Sequence, residues 1–325
     1  MASPSVSMLW ETVDADAALT CRFGFATADE AARWLAETLS TRYEIELGAV
    51  DRLVLSSRNL MAWTVTSEGP LIVKCCVHPE AHPRLRAIAE LLAWLARDGF
   101  PVSAPIPTPD GELQLECGNL SVGVQRIIAA EMLDTTRLDQ AARAGAVLAR
   151  LHQAMSRYPN ADDLDFTPMP ALEADVAEWL DKNAPGEPHL RDAVATLRLK
   201  ATGLDSTGLD SQLIHRDFRA ANILWADNDI VAVLDFEQLA RGHRVSDVVQ
   251  AATLLGTHFH NWGPLTPEAL DAFLAAYQTQ LPFSAKERAW LAVLSLRNAI
   301  GFAQQPGPMQ EQWVAAAERL AASAW

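Results

Sequence analysis

Near the middle of the chain, two short apolar runs enclose Leu213-Ile214-His215-Arg216-Asp217-Phe218-Arg219-Ala220-Ala221-Asn222-Ile223-Leu224. A His-x-Asp triplet is followed by four residues and then Asn222. Behind it, Ile223-Leu224-Trp225 reads as a strand and Ala226-Asp227-Asn228-Asp229 as a turn. Ile230-Val231-Ala232-Val233-Leu234 reads as a second strand that runs into Asp235-Phe236-Glu237. Apolar runs joined by an Asp/Asn turn form a hairpin. Such a hairpin sets Asn222 and Asp235 at one end, where both can grip a metal ion. Magnesium takes oxygen ligands, one or two from side chains and the rest from phosphate and water. Phosphoryl transfer needs this spacing: one carboxylate, Asp217, for the attacking hydroxyl, and an Asn and an Asp for the metal on the nucleotide phosphates.

The same chemistry needs a cation for the α- and β-phosphates, braced by a carboxylate. Lys74 lies in the apolar run Leu71-Ile72-Val73-Lys74, which makes it the candidate. An edge-strand lysine that deters aggregation is the plain alternative. Glu90, sixteen residues later on a helix, is the candidate brace, although the helical wheel sets it opposite Leu85, Ile88, Leu92 and Leu95. No G-x-G-x-x-G loop is present; Ser57 and Asn59, in the turn of the first hairpin, are the phosphate-loop candidates. Arg219 is close enough to Asp217 in sequence to meet the phosphoryl group or the substrate. Asp247 opens an apolar helix, as a helix-terminal charge or as a hydrogen-bond acceptor for the loop. His152, on an apolar helical face, reads as a satisfied core histidine. His258 and His260 have metal-pair spacing but no third ligand nearby in sequence.

Strand-like runs at Leu53–Ser57, Leu60–Thr66, Leu71–Val77, Glu112–Glu116 and Leu120–Ile128 predict a five-stranded antiparallel sheet with one packed helix, about Pro83 to Arg97. From about residue 130 the periodicity turns helical: Leu138–Arg157, Leu172–Leu180, His189–Ala201, Ser246–Leu255, Glu268–Gln280, Ala285–Phe302 and Met309–Ala322. The expected fold class is α+β and bilobal. Residues 1–129 form a nucleotide-binding lobe, with 1–49 as a helical extension. Residues 130–325 form a helical lobe with the hairpin and the acceptor site. The net charge of −15 disfavours nucleic acid as a partner. No apolar run approaches the ~20 residues of a membrane span. The four cysteines show no metal spacing, and the first residues lack a signal-peptide pattern. A reduced, cytoplasmic protein is the expectation, as a monomer or homodimer.

Taken together, these residues resemble the aminoglycoside phosphotransferase and choline kinase-like family of small-molecule kinases, from about residue 50 to 280. The resemblance rests on Lys74, the helix with Glu90-Leu91-Leu92 and its Gly99-Phe100-Pro101-Val102 exit, Leu148-Ala149-Arg150-Leu151-His152, the hairpin, Asp235 and Asp247. It implies a protein-kinase-like fold, a nucleoside triphosphate (ATP or GTP) and Mg²⁺. It makes Asp217 the catalytic base, with Arg219 beside it, and Asn222 and Asp235 the metal ligands. Lys74 and Glu90 then position the phosphates, the backbone around Gln125 and Ile127 meets the purine, and His215 and Asp247 support the loop. The chain departs from the family's usual Gly after the histidine, where it has Arg216, and from Pro-Gly before the Asn, where it has Ala220-Ala221. Read alone, that loop looks more like a tyrosine kinase's. Phe-Gly does not follow Asp235, and only twelve residues separate it from Asp247, too few for a segment that docks protein substrates.

The expected activity is transfer of a γ-phosphoryl group to a hydroxyl of a small acceptor. Residues 160–187 hold eight acidic side chains against one lysine, which would suit an amine-bearing alcohol such as an aminoglycoside, amino sugar or choline-like compound. A solvated acidic face is the plain alternative, and homoserine or another metabolite stays open. The competing classes are a nucleotide-binding pseudokinase and a protein kinase.

Overall fold

The computed structural model describes residues 3–161, 164, 166, 168–183, 190–258 and 262–323. The chain divides into two compact units, Met1–Ala129 and Ala130–Trp325. Among the described residues no helix is long and apolar enough to cross a membrane.

Unit 1 begins with β1 (Ser5–Met8), α1 (Ala15–Phe23) and α2 (Ala28–Tyr43). There follow β2 (Leu47–Leu55), β3 (Asn59–Thr66), β4 (Gly69–Cys76), α3 (His82–Arg97), β5 (Leu115–Cys117) and β6 (Leu120–Arg126). The sheet order is β1-β2-β3-β4-β6-β5. The five expected strands are present and antiparallel, and a sixth, β1, pairs parallel to β2. The region before residue 50 is therefore not purely helical. Its short β1 has no periodicity to read and exists by pairing. Thr27 caps α2 by accepting the Glu30 N–H, while the Glu30 carboxylate reaches back to the Ala26 N–H at 2.7 Å. Leu19, Leu35, Leu39 and Tyr43 pack on the sheet face built by Leu53, Leu55, Leu60, Leu71, Val73, Cys75, Val122 and Val124. Alternation along β4 turns Lys74 to the opposite face from Val73 and Cys75.

Unit 2 contains β7 (Glu131–Met132), α4 (Leu138–Met155), α5 (Leu172–Lys182), α6 (Arg191–Ala201), β8 (Ser211–Ile214), β9 (Ile223–Ala226) and β10 (Asp229–Val233). It continues with β11 (Ala240–His243), α7 (Arg244–Leu254), α8 (Pro267–Gln280), α9 (Ala285–Ala303) and α10 (Gln310–Ala322). The expected hairpin is β9–β10, and β7 extends it to three strands. Asp227 and Asn228 both take left-handed φ, 51° and 61°, as the tight type I′ connection requires. β8 pairs antiparallel with β11, which runs directly into α7. That continuity brings the first turn of α7 against the residues that follow β8. Gly145 lets α4 and α8 close in: a Cβ there would lie 2.0 Å from the Phe273 carbonyl oxygen. Ser284 and Glu287 form a complete capping box at α9, and Thr266 caps α8 ahead of Pro267.

Candidate active site

The loop between β8 and β9 is held from below by one buried carboxylate. Asp247, in the first turn of α7, is 1% exposed. Its Oδ2 accepts the His215 N–H at 2.8 Å and its Oδ1 accepts the Arg216 N–H at 2.7 Å. His152 Nε2 approaches Oδ2 at 2.9 Å, and His152 Nδ1 lies 2.7 Å from the Tyr277 hydroxyl. A carboxylate only accepts, so His152 Nε2 carries the proton. Burial alone would push the Asp247 carboxyl up, but the hydrogen bond and charge of His152, with the His215 contacts, hold it below its ordinary value. His152 is thus a satisfied core histidine, and it also braces the loop's support.

His215 is itself fully buried; its Nε2 meets the Leu234 carbonyl at 3.1 Å, and its ring packs on Phe218 and Phe236. Burial depresses its pKa, against the pull of Asp247, Asp217 and Asp235. A neutral His215 accepts the Asp217 N–H at Nδ1, 3.1 Å away. Arg216 sits at φ 67°, the left-handed region that suits glycine. Its backbone is fixed there by the Asp247 contact and by Gln250 Nε2, which donates to its carbonyl at 2.6 Å.

Above this support stand the reactive groups. Asn222 Nδ2 donates to the Asp217 carbonyl at 2.9 Å and to Asp217 Oδ2 at 2.7 Å. Arg219 Nε lies 3.0 Å from Asp217 Oδ1. This is an ion pair rather than an aligned hydrogen bond, because Nε is buried and has no aligned acceptor among the described residues. Burial raises the Asp217 pKa; Arg219 opposes the rise and Asp235 adds to it. The Leu234 N–H donates to the Asn222 carbonyl at 2.8 Å, so Asn222 and Asp235 emerge at the same end of the hairpin. Asp235 is exposed, with φ 59°. With its side-chain nitrogen committed to Asp217, Asn222 has its side-chain oxygen, Oδ1, to offer a ligand. Two oxygen donors of this kind fit a hard divalent cation whose shell is completed by phosphate. No cluster of three His, Cys, Asp or Glu side chains suited to a metal occurs among the described residues.

The other expected residues fare unevenly. In unit 1, Lys74 lies half-buried on β4, while Glu90 lies exposed on α3. One turn before Glu90, Arg86 reaches Glu116 at 2.6 Å. The Ser57–Asn59 turn is closed by Ser56, whose hydroxyl accepts the Asn59 N–H at 3.0 Å. The Ile127 N–H is taken by the Pro70 carbonyl at 3.1 Å, and the Gln125 side chain donates to the Ser103 carbonyl at 2.9 Å. Of the acidic residues in 160–187, Asp162, Asp163, Asp165 and Glu187 lie outside the described residues, as does His260. Glu173 accepts the Ser206 N–H, and Asp175 and Glu178 pair with Arg297 and Lys182. Tyr277 and Gln250 were missed. Their partners lie far off in sequence, and nothing local marks them.

Residues 52–292 match the phosphotransferase enzyme family. The chain belongs to that family, and its fold is protein-kinase-like. Curated relatives include a homoserine kinase from Phenylobacterium zucineum, 25% identical over 217 residues, covering 65% of each chain. Another is the homoserine kinase of Neisseria meningitidis serogroup B, 25% identical over 226 residues, 66% of this chain and 68% of that one. The chain thus spans about two thirds of the length of these relatives. Among solved structures, the microcompartment-associated aminopropanol kinase superposes with a TM-score of 0.60 at 19% identity, covering 89% of this chain and 95% of that one. A macrolide 2′-phosphotransferase from Brachybacterium faecium gives 0.60 at 16%, covering 89% and 98%. A spectinomycin phosphotransferase solved with ADP and spectinomycin gives 0.56 at 14%, covering 89% and 94%.

Proposed function

We propose that the protein transfers the γ-phosphoryl group of ATP or GTP to a hydroxyl of a small acceptor. The observation that carries this reading is the Asp217–Asn222–Asp235 arrangement. One carboxylate is oriented by an amide whose remaining oxygen stands with a second carboxylate at the hairpin's end. Asn222 and Asp235 would hold Mg²⁺, which supplies charge stabilisation to the transferring group. Asp217 orients the acceptor hydroxyl and takes its proton. Lys74 is assigned to the phosphates, and unit 1 to the nucleotide. Catalysis of this kind is positioning and electrostatics more than bond-making by the protein.

Homoserine, the substrate named for the curated relatives, heads the acceptor candidates, ahead of amino alcohols and aminoglycosides. The test is ADP release from ATP and Mg²⁺ across such a panel. Turnover with one acceptor class that disappears in Asp217→Ala is expected. Undiminished turnover in that variant would sink the mechanism.

A further inference from the structure

We propose that Arg219 recognises a carboxylate on the acceptor, which makes the substrate a hydroxy acid or hydroxy amino acid rather than a polyamine. The inference rests on the phosphotransferase reading above and names its substrate class.

The Asp217 carboxylate has two sides. Oδ2 is bound to Asn222, at 2.7 Å, and so faces the proposed metal ligands. Oδ1 faces Arg219, at 3.0 Å. Asn222 and Asp235 would hold the metal and the phosphates bound to it on the Oδ2 side. An acceptor that offers its hydroxyl from the other side meets Arg219 on its way in.

Arg219 is built to stay there. Its side chain is only 14% exposed. Its guanidinium carbon lies 5.6 Å from the centre of the Trp262 ring. Trp262 is in turn fixed through its carbonyl, which accepts the Trp313 Nε1–H at 2.7 Å, and Trp313 stacks on Phe302. Trp313 belongs to α10, outside the family match at 52–292. The C-terminal helix therefore shapes the side of the site that Arg219 occupies.

What Arg219 lacks is a satisfied donor set. Its Nε is buried without an aligned acceptor among the described residues. A guanidinium offers a rigid fork of donors that matches a carboxylate, and a buried one left unmatched is costly. An ammonium group near the reacting hydroxyl would be repelled by it. Among the described residues of the acidic segment, three carboxylates are engaged elsewhere: Glu173 with a backbone N–H, Asp175 with Arg297 and Glu178 with Lys182. A carboxylate a few bonds from the hydroxyl takes over from Asp217 as the partner of the guanidinium and leaves Asp217 free for the proton.

The experiment uses the full chain with ATP and Mg²⁺ and matched acceptors. These are homoserine and its carboxamide, γ-hydroxybutyrate and its carboxamide, and aminopropanol, which keeps the amine and lacks the carboxylate. The expected result is kcat/KM at least about a hundred-fold higher for a carboxylate than for its amide. Arg219→Gln should bring each pair to within about three-fold, with the nucleotide KM unchanged. Trp262→Ala, at an exposed position, should raise KM for the carboxylates alone. Equal use of acid and amide by the wild type overturns the inference. So does an Arg219→Gln variant that loses all acceptors equally or raises the nucleotide KM, because the anion at Arg219 is then the γ-phosphoryl group. If no acceptor turns over, the phosphotransferase reading fails separately. Calorimetry of the same pairs then decides the inference: tighter carboxylate binding that Arg219→Gln abolishes supports it, and equal or absent binding overturns it.

Discussion

The two sides of the His215–Asn222 loop obey opposite rules. Beneath it, Asp247, His152 and Tyr277 are dry, and each polar atom of the chain from backbone to hydroxyl has a partner. Above it, Asp217 has its pKa pushed up by burial, Arg219 has a buried nitrogen without an aligned acceptor among the described residues, and Asp235 stands exposed. A satisfied buried network rigidifies, whereas an incompletely satisfied one holds capacity for a ligand. The loop's geometry is therefore stabilised from below so that its upper groups can remain unsatisfied. Substitutions on the two sides should separate stability from activity.

The sharpest break is Asp247→Ala. It strands two backbone N–H groups and His152 in a dry interior. Removing one partner of such a pair costs about 3–5 kcal/mol, measured by denaturant unfolding. The sign with pH follows from the depressed Asp247 pKa. Its contribution is present above the unfolded-state value and is lost as pH falls through the folded-state value. A variant that unfolds like wild type would place the loop's support elsewhere.

Asp217→Asn should do the reverse. Losing the proton acceptor costs about a hundred- to a thousand-fold in kcat, read in the ADP-release assay. Stability should hold or rise at neutral pH. The folded state binds the Asp217 proton more tightly than the unfolded chain does, so the ionised form is a burden above that pKa and Asn removes it. By the same shift, the acid limb of kcat/KM should lie above the ordinary aspartate range. A marked drop in Tm would show that Asp217 belongs to the support as well.

The upper side of this comparison was legible in the sequence and most of the lower side was not. Chemistry dictates the spacing of Asp217, Asn222 and the hairpin that ends at Asp235, and spacing survives in one dimension. The caps at Thr27, Thr266 and Ser284 are local in the same way, each a hydrogen bond within one turn. The His152–Asp247–Tyr277 chain joins three helices across 95 and 125 residues. The sequence suggests a satisfied histidine but not what satisfies it, and it leaves Asp247 between two roles. Register is equally opaque: Ile127 pairs with Pro70 one residue past the end of β6, which no periodicity reports. Glu90 had the right residue type at a plausible distance, but the helix that carries it turns it to solvent.

Two smaller substitutions sharpen the lower side. Tyr277→Phe keeps the ring, stacked on Phe283 at 5.1 Å, and deletes the hydroxyl that meets His152 Nδ1. One buried nitrogen loses its partner, which costs about 1–2 kcal/mol, and kcat should fall only as far as the loop loosens. A loss as large as that of Asp247→Ala would mean that the network acts as one unit.

Arg216→Gly should have the smallest effect, with the opposite sign. At φ 67° an L residue is strained by roughly 1–2 kcal/mol. Glycine relieves that strain but gives back about 0.5–1 kcal/mol in unfolded-chain entropy. The contacts to Asp247 and Gln250 are made by the Arg216 backbone, so glycine keeps them. The Arg216 Nε, buried without an aligned acceptor among the described residues, is removed with the side chain. The balance is a gain below about 1 kcal/mol, or a Tm rise of about one to three degrees. A fall in Tm would show that the arginine side chain packs well enough to outweigh its strained backbone. The loop would then be supported from its flank as well as from Asp247.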